Sequence, residues 1–278
     1  MSRLIGIFDS GLGGLTVARA VIKRLPNDRV MYFADTAHVP YGERPLDEVR
    51  SFALGITRFL VDRGAAAIVM ACNMSSAVAL QPARDIFPDI PIIGVIGPGA
   101  RAAAERVSDG AIAVLATSGT VRSGAYSRAI HTFEPSVEVI EQPCPAFVPL
   151  VEAGLADTEE AEVAVRDAVE PVLARGAKTI VLGCTHYPFL RGAIEKVAPS
   201  AVIIDPAEET AGDLAKLIED VPDYGVDADH RFFASGSVDA LISIGGDFLG
   251  MPIHEVEVVE WGKDLLYGYT EMNVGKVL

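Results

Sequence analysis

Short apolar runs alternate with longer amphipathic stretches along most of the chain. The runs Leu4–Phe8, Val30–Phe33, Ala67–Met70, Ile92–Val95, Ala111–Leu115, Val137–Ile140, Thr179–Leu182 and Ala201–Ile204 predict strands. Between several of them the apolar positions recur at the three-four spacing of one helix face. Leu15, Ala18, Ile22 and Leu25 form one such set. Val49, Phe52, Ala53, Ile56, Phe59 and Leu60 form a second, and Ala161, Val165, Ala168, Val169 and Val172 a third. Pro171 lies within the third and is expected to kink or shorten that helix. Strand and helix in alternation predict an α/β fold with mostly parallel sheets. Continuous apolar strands such as AAIVMA (66–71) suit a sheet covered on both faces.

The pattern repeats. GAAAIVMAC (64–72) lines up with GAKTIVLGC (176–184), each glycine eight residues before its cysteine. Each glycine follows an amphipathic helix and can take the left-handed capping conformation. Each segment then reads as a buried strand that delivers a cysteine, Cys72 or Cys184, at its carboxyl end. Upstream, LIGIFDS (4–10) is matched by AIAVLATS (111–118). The repeat predicts two similar three-layer α/β domains. With crossovers near Pro91–Pro98 and Asp205–Pro206, the first spans 1–96 plus 207–278 and the second 97–206. Open α/β sheets bind ligands at the carboxyl ends of their strands, where both cysteines fall. In the tail only Arg231–Ala234 reads as a strand, followed by a closing helix or strand.

Composition narrows the partners. Half of the 278 residues are hydrophobic, enough for sizeable cores. The formal net charge of −15 argues against binding a nucleic-acid backbone but leaves room for a small anionic substrate. No run of about 18 apolar residues predicts a membrane span, and the start MSRLIGIFDSG turns polar too soon for a secretory signal. The three cysteines, Cys72, Cys144 and Cys184, do not make a disulfide framework, so a cytoplasmic protein with reduced thiols is expected.

Two thiols in equivalent positions suggest acid–base chemistry. Residues able to cap a helix follow each one: Asn73, Ser75 and Ser76 after Cys72, and Thr185 after Cys184. A helix N-terminus favours the thiolate. One thiolate and one thiol facing a substrate carbon would remove a proton on one face and return one on the other, inverting a stereocentre without a cofactor. Cys144, between two prolines, reads as structural. Metal binding is not expected, because Cys184 and His186 lack a complementary second cluster. The segment Asp9-Ser10-Gly11-Leu12-Gly13-Gly14 follows the first strand. It is neither GxGxxG nor a Walker loop; it reads as a tight strand-to-helix turn or as backbone N–H groups cradling a substrate carboxylate. Asp9 is a candidate to bind an ammonium or orient a catalytic group, and His186 to tune the adjacent thiol.

Taken in order, DSGLGG (9–14), PYG (40–42), ACN (71–73) and GCTHYP (183–188) resemble the glutamate racemases of the aspartate/glutamate racemase superfamily, over residues 5 to about 210. The resemblance implies two α/β domains related by a pseudo-twofold axis with the active site between them. It also implies cofactor-independent interconversion of L- and D-glutamate for peptidoglycan synthesis, and a homodimer. On this resemblance Cys72 and Cys184 are the acid/base thiols, the first acting on D-glutamate and the second on L-glutamate, assisted by Asp9 and His186. Substrate contacts fall on Asp9, Ser10, Tyr41, Gly42, Asn73, Met74, Thr185 and His186. Asp35 and Glu152 match acidic helpers, and Thr117 with Thr120 and Val121 a second-domain loop. Where the family usually has Thr or Ser after Cys-Asn, this chain has Met74. That change removes a hydroxyl donor, which Ser75 or Ser76 would have to replace. The same cysteine positions would also serve an aspartate racemase, a hydantoin racemase or a decarboxylase, although the last needs only one thiol. Outside catalysis they would fit a racemase-derived binding or regulatory protein. A redox thiol protein lacks support, because CxxC spacing is absent.

Overall fold

The computed structural model describes residues 2–222 and 229–262, which fall into two compact units, 2–94 with 211–222 and 229–262, and Val95–Thr210. In the first unit six strands are β1 (Leu4–Asp9), β2 (Arg29–Ala34), β3 (Ala67–Met70), β4 (Ile92–Gly94), β9 (Arg231–Ala234) and β10 (Glu257–Val258). They pair in the order β10-β9-β2-β1-β3-β4. In the second unit β5 (Ala111–Ala116), β6 (Val139–Pro143), β7 (Ala177–Gly183) and β8 (Val202–Ile204) pair in the order β6-β5-β7-β8. Every pairing is parallel. All strand carboxyl ends of a sheet therefore lie along one edge, and the loops there can converge on a ligand.

The repeat is visible in the sheet orders. β2-β1-β3-β4 and β6-β5-β7-β8 have the same connectivity, and each cysteine follows the equivalent strand, β3 or β7. β1, β3 and β5 are buried at every position, as strands covered on both faces must be.

The helices α1 (Leu15–Arg24), α2 (Leu46–Asp62), α3 (Asn73–Ile86), α4 (Ile96–Arg106), α5 (Ser118–Ser123), α6 (Ala125–Phe133), α7 (Phe147–Glu152) and α8 (Glu159–Ala174) connect these strands. The remaining helices are α9 (Arg191–Val197), α10 (Pro206–Leu217), α11 (Asp239–Ser243) and α12 (Gly245–Leu249). The apolar face foreseen for α2 is buried throughout, from Val49 to Leu60. α2 stops where Gly64 turns left-handed at φ +86. Its N–H donates to Val61 O at 2.9 Å and that of Ala65 to Leu60 O at 3.1 Å, which together close the last turn. Gly176 does the same for α8, with φ +85 and an N–H donated to Leu173 O at 2.9 Å.

Two expectations need correction. α8 runs through Pro171 to Ala174, so the proline does not shorten it. Pro171 forgoes the backbone bond to Asp167 O, and the helix continues for three residues beyond it. β6 starts two residues later than its apolar run. It pairs Val139–Pro143 against Ile112–Ala116, and among its five residues only Ile140 is buried. The neighbouring strand, not hydrophobic content, sets its register. β10 is exposed at both residues and had no signal of its own.

Candidate active site

The carboxyl edge of the first sheet gathers residues from separate loops. Asp9 ends the central strand β1 and is 1% exposed. Its Oδ2 accepts the N–H groups of Gly11 at 3.1 Å and Gly14 at 3.0 Å. Those two donors of the glycine-rich loop are thus committed to Asp9's own carboxylate, which narrows the expected substrate cradle to other groups there. Gly14 is required by space: a Cβ would lie 2.4 Å from Asp9 Cβ and 2.8 Å from Tyr32 Oη. Tyr32 Oη donates to Gly11 O at 2.6 Å, bracing the loop from β2.

Cys72 lies two residues past β3, nearly buried, in extended conformation at the N-cap of the 14-residue α3. Its thiol therefore meets the positive end of a long helix. Burial pushes Tyr32 far above the usual phenol range, and the charges of Asp9 and Cys72 add to the effect. Tyr41 is raised in the same way, first by burial and then by Asp35, with smaller contributions from Cys72 and Asp9. Both phenols stay protonated as donors, and one electrostatic neighbourhood links Asp9, Asp35 and Cys72. Asn73 begins α3. Met74 is 2% exposed within the apolar cluster that holds Tyr41, Phe52 and Cys72, so its side chain packs as core. Ser76 Oγ donates to Met70 O at 2.8 Å and is not available to replace the missing hydroxyl. Ser75 Oγ is fully buried without a hydrogen-bond partner among the described residues.

The second sheet carries the matching edge. Cys184, 9% exposed, directly follows β7. The helix expected after it is absent: a 3₁₀ turn, Tyr187–Leu190, intervenes before the short α9. Cys184 therefore lacks the long-helix dipole that Cys72 has, and a histidine stands in its place. His186 Nδ1 lies 3.8 Å from Cys184 Sγ, and His186 Nε2 lies 3.2 Å from Glu152 Oε1. If Nε2–H is donated to the carboxylate, Nδ1 presents a lone pair to the thiol. Glu152 ends α7, which is packed on the 3₁₀ turn by Phe147 against Tyr187, ring centroids 4.9 Å apart. Tyr187 Oη donates to Cys144 O at 3.0 Å, and burial pushes the Cys144 thiol up to about 12, as befits a structural cysteine. Thr185 is buried beside Cys184. Thr117, the N-cap of α5, accepts the Thr120 N–H at 3.4 Å, and its hydroxyl lies 3.1 Å from that of Thr120.

The structure thus groups Asp9, Ser10, Asp35, Tyr41, Gly42, Cys72, Asn73 and Met74 in the first unit, and Thr117, Thr120, Glu152, Cys184, Thr185 and His186 in the second. Sequence reasoning missed Tyr32, His38, Ser235 and Trp261 at the first edge. Only Trp261, the one tryptophan of the chain, carried any signal. Among the described residues no three His, Cys, Asp or Glu side chains form a group that could hold a metal ion. No described helix is long and apolar enough to cross a membrane.

The family model for Asp/Glu/hydantoin racemases matches residues 15–214. The chain belongs to this racemase family. A curated glutamate racemase of Desulforudis audaxviator is 46% identical over 268 residues, covering 91% of this chain and 97% of the relative. Among solved racemase structures, that of Francisella tularensis glutamate racemase in complex with D-glutamate superposes with a TM-score of 0.87. It is 32% identical and covers 93% of this chain and 97% of its own. A glutamate racemase isoform of Bacillus anthracis superposes equally well, at 38% identity and the same coverage.

Proposed function

We propose that the protein is a cofactor-independent glutamate racemase that passes the α-proton between two thiols. The observation that carries this reading is the placement of one cysteine just past the equivalent strand of each unit, with Asp9 on the strand beside β3 and the His186–Glu152 pair beside Cys184. Glutamate is the substrate by similarity to relatives of that activity, one of them with D-glutamate bound.

In the L-to-D direction the Cys184 thiolate takes the Cα proton, leaving the electron pair on Cα and its carboxylate. The Cys72 thiol then delivers a proton to the opposite face. The turnover ends with Cys184 protonated and Cys72 ionised, the state needed for the reverse direction. The Cα–H bond is a weak acid, so donors must meet the developing charge. Backbone N–H groups with Ser10, Asn73 and Thr185 supply them. Tyr41 and Gly42 help hold the substrate, Asp9 and His186 orient the thiols, and Thr117 and Thr120 line the second unit's loop. At position 74 only the backbone contributes, because the Met74 side chain is committed to the core. On the same reading the enzyme works in the cytoplasm as a homodimer and feeds D-glutamate to peptidoglycan synthesis.

The test uses purified protein without added cofactor, given L-glutamate, D-glutamate and L-aspartate in separate reactions. Loss of optical rotation with both glutamates and not with aspartate is the expected result. Turnover of aspartate alone would keep the chemistry and move the substrate; no turnover by folded protein would end the proposal.

Two variants probe its parts. Glu152→Gln should lower kcat/KM by roughly tenfold, because the amide holds His186 less strongly than a carboxylate does. The fall must be equal in both directions, since the equilibrium constant between enantiomers is unity. Its melting temperature should hardly move, as the Glu152 side chain is 40% exposed. Ser75→Ala should raise stability by about 1 kcal/mol by removing an unpaired buried hydroxyl. A higher KM in that variant would instead mean that Ser75 replaces the hydroxyl missing at position 74.

A further inference from the structure

Asp35 follows β2 and is wholly buried, and its two oxygens face different parts of the chain. Oδ1 accepts from Ser235 Oγ at 2.5 Å and from Trp261 Nε1 at 2.9 Å. Oδ2 accepts from Tyr41 Oη at 2.5 Å, and His38 Nδ1 lies 3.0 Å from both oxygens. These contacts use the roughly four lone-pair directions of a carboxylate. A carboxylate this buried is tolerable only when so bonded, and the loss of one donor is felt by the rest.

Ser235 directly follows β9, and Trp261 lies three residues past β10. One oxygen of Asp35 therefore ties in the last two strands of the sheet, while the other holds the loop that carries Tyr41 and Gly42. The rings around it reinforce the joint. His38 stacks on Phe52 with centroids 3.9 Å apart, and Trp261 lies 5.1 Å from His38 and 5.5 Å from Phe52. Ala37 N–H donates to Ser235 Oγ at 3.1 Å. Tyr41 itself is 2% exposed with its hydroxyl already given to Asp35. Its side chain is a peg, and what it presents to a ligand is the backbone of Tyr41 and Gly42.

We propose that Ser235 and Trp261 are positioning residues for glutamate binding. Through Asp35 the C-terminal strand pair sets the Tyr41 peg, and with it the backbone at Tyr41–Gly42. The proposal rests on the reading above in which those two residues contact the substrate.

The experiment measures KM and kcat in both directions for wild type, Trp261→Phe, Tyr41→Phe and the double variant. Trp261→Phe keeps an aromatic ring and removes the N–H donor. It should raise KM about three- to tenfold with kcat within about twofold, the pattern of lost binding without loss of chemistry. Tyr41→Phe should raise KM similarly, and adding Trp261→Phe to it should raise KM no further, since both act through one carboxylate. Ser235→Ala removes the other Oδ1 donor without touching the rings. It should repeat the KM rise, and Ser235→Thr should restore the wild-type value; this pair decides the matter if Trp261→Phe does not fold. Unchanged KM in Trp261→Phe or Ser235→Ala, or KM effects that multiply in the double variant, would overturn the proposal. A purely structural role would lower the melting temperature and leave KM alone. Wild-type protein that does not racemise glutamate would overturn the functional reading as well, whereas active wild type with unchanged KM in the variants overturns only this inference.

Discussion

Cys72→Ser and Cys184→Ser should each lose racemisation by a factor on the order of 10²–10⁴, the usual contribution of a positioned acid or base. Serine keeps the size and the hydrogen bonding of cysteine, but its alkoxide is far too basic to form near neutral pH. The loss should be the same for both enantiomers in kcat/KM. The double variant should be little worse than either single one, because residues that act as a unit do not contribute additively. The exchange of the α-hydrogen should separate the two variants. With Cys72 removed, Cys184 still reaches the L face, so solvent deuterium should enter L-glutamate slowly and D-glutamate not at all. With Cys184 removed the preference should reverse. Both thiols are nearly buried at the carboxyl ends of equivalent strands, so the substitutions should leave the melt cooperative. Retained two-way turnover in either variant would refute the two-thiol assignment.

Gly14→Ala should be highly damaging for the change of a single methyl group. The new Cβ would lie 2.4 Å from Asp9 Cβ and 2.8 Å from Tyr32 Oη. Neither neighbour can yield easily. Asp9 closes the central strand and holds the N–H groups of Gly11 and Gly14, while Tyr32 is fully buried and donates to Gly11 O. Overpacking of this kind costs about 1–3 kcal/mol or more, and here it also displaces a candidate catalytic carboxylate. A lower melting temperature and a loss of activity that persists well below the melt are the expected results, read by calorimetry and by optical rotation. Gly192→Ala is the control: nothing lies within 4 Å of its added Cβ.

The parts of this protein that were legible in its sequence are those with local signatures. The pair Gly64 and Gly176 announced two helix ends, because each needs a positive φ at the same place in the repeat. β1, β3 and β5 announced themselves as apolar runs because both their faces are buried. β6 and β10 did not. An edge strand carrying Glu141 and Gln142, or Glu257 and Val258, owes its conformation to its neighbour and leaves no period to read. The helix expected after Cys184 gave way to a 3₁₀ turn, where Pro188 and the ring packing of Tyr187 shape the backbone. In sequence the DSGLGG loop reads as a tight strand-to-helix turn or as a substrate cradle. The structure shows Asp9 taking up two of its N–H groups, a partnership that the sequence alone does not display. The Asp35 hub was out of reach altogether, since its partners Ser235 and Trp261 lie 200 and 226 residues away in the chain.

If one thiol takes the α-proton while the other gives one to the opposite face, deuterium at Cα reports it. The most direct measurement follows deuterium at Cα by mass spectrometry during the first few per cent of turnover in deuterated water, starting from each pure enantiomer. Two separate acid–base groups predict that each newly formed product molecule carries one α-deuterium, while the recovered starting enantiomer stays almost wholly protonated. Product that retains the original hydrogen, or starting material deuterated as fast as product, would mean that a single group serves both faces and would contradict the account.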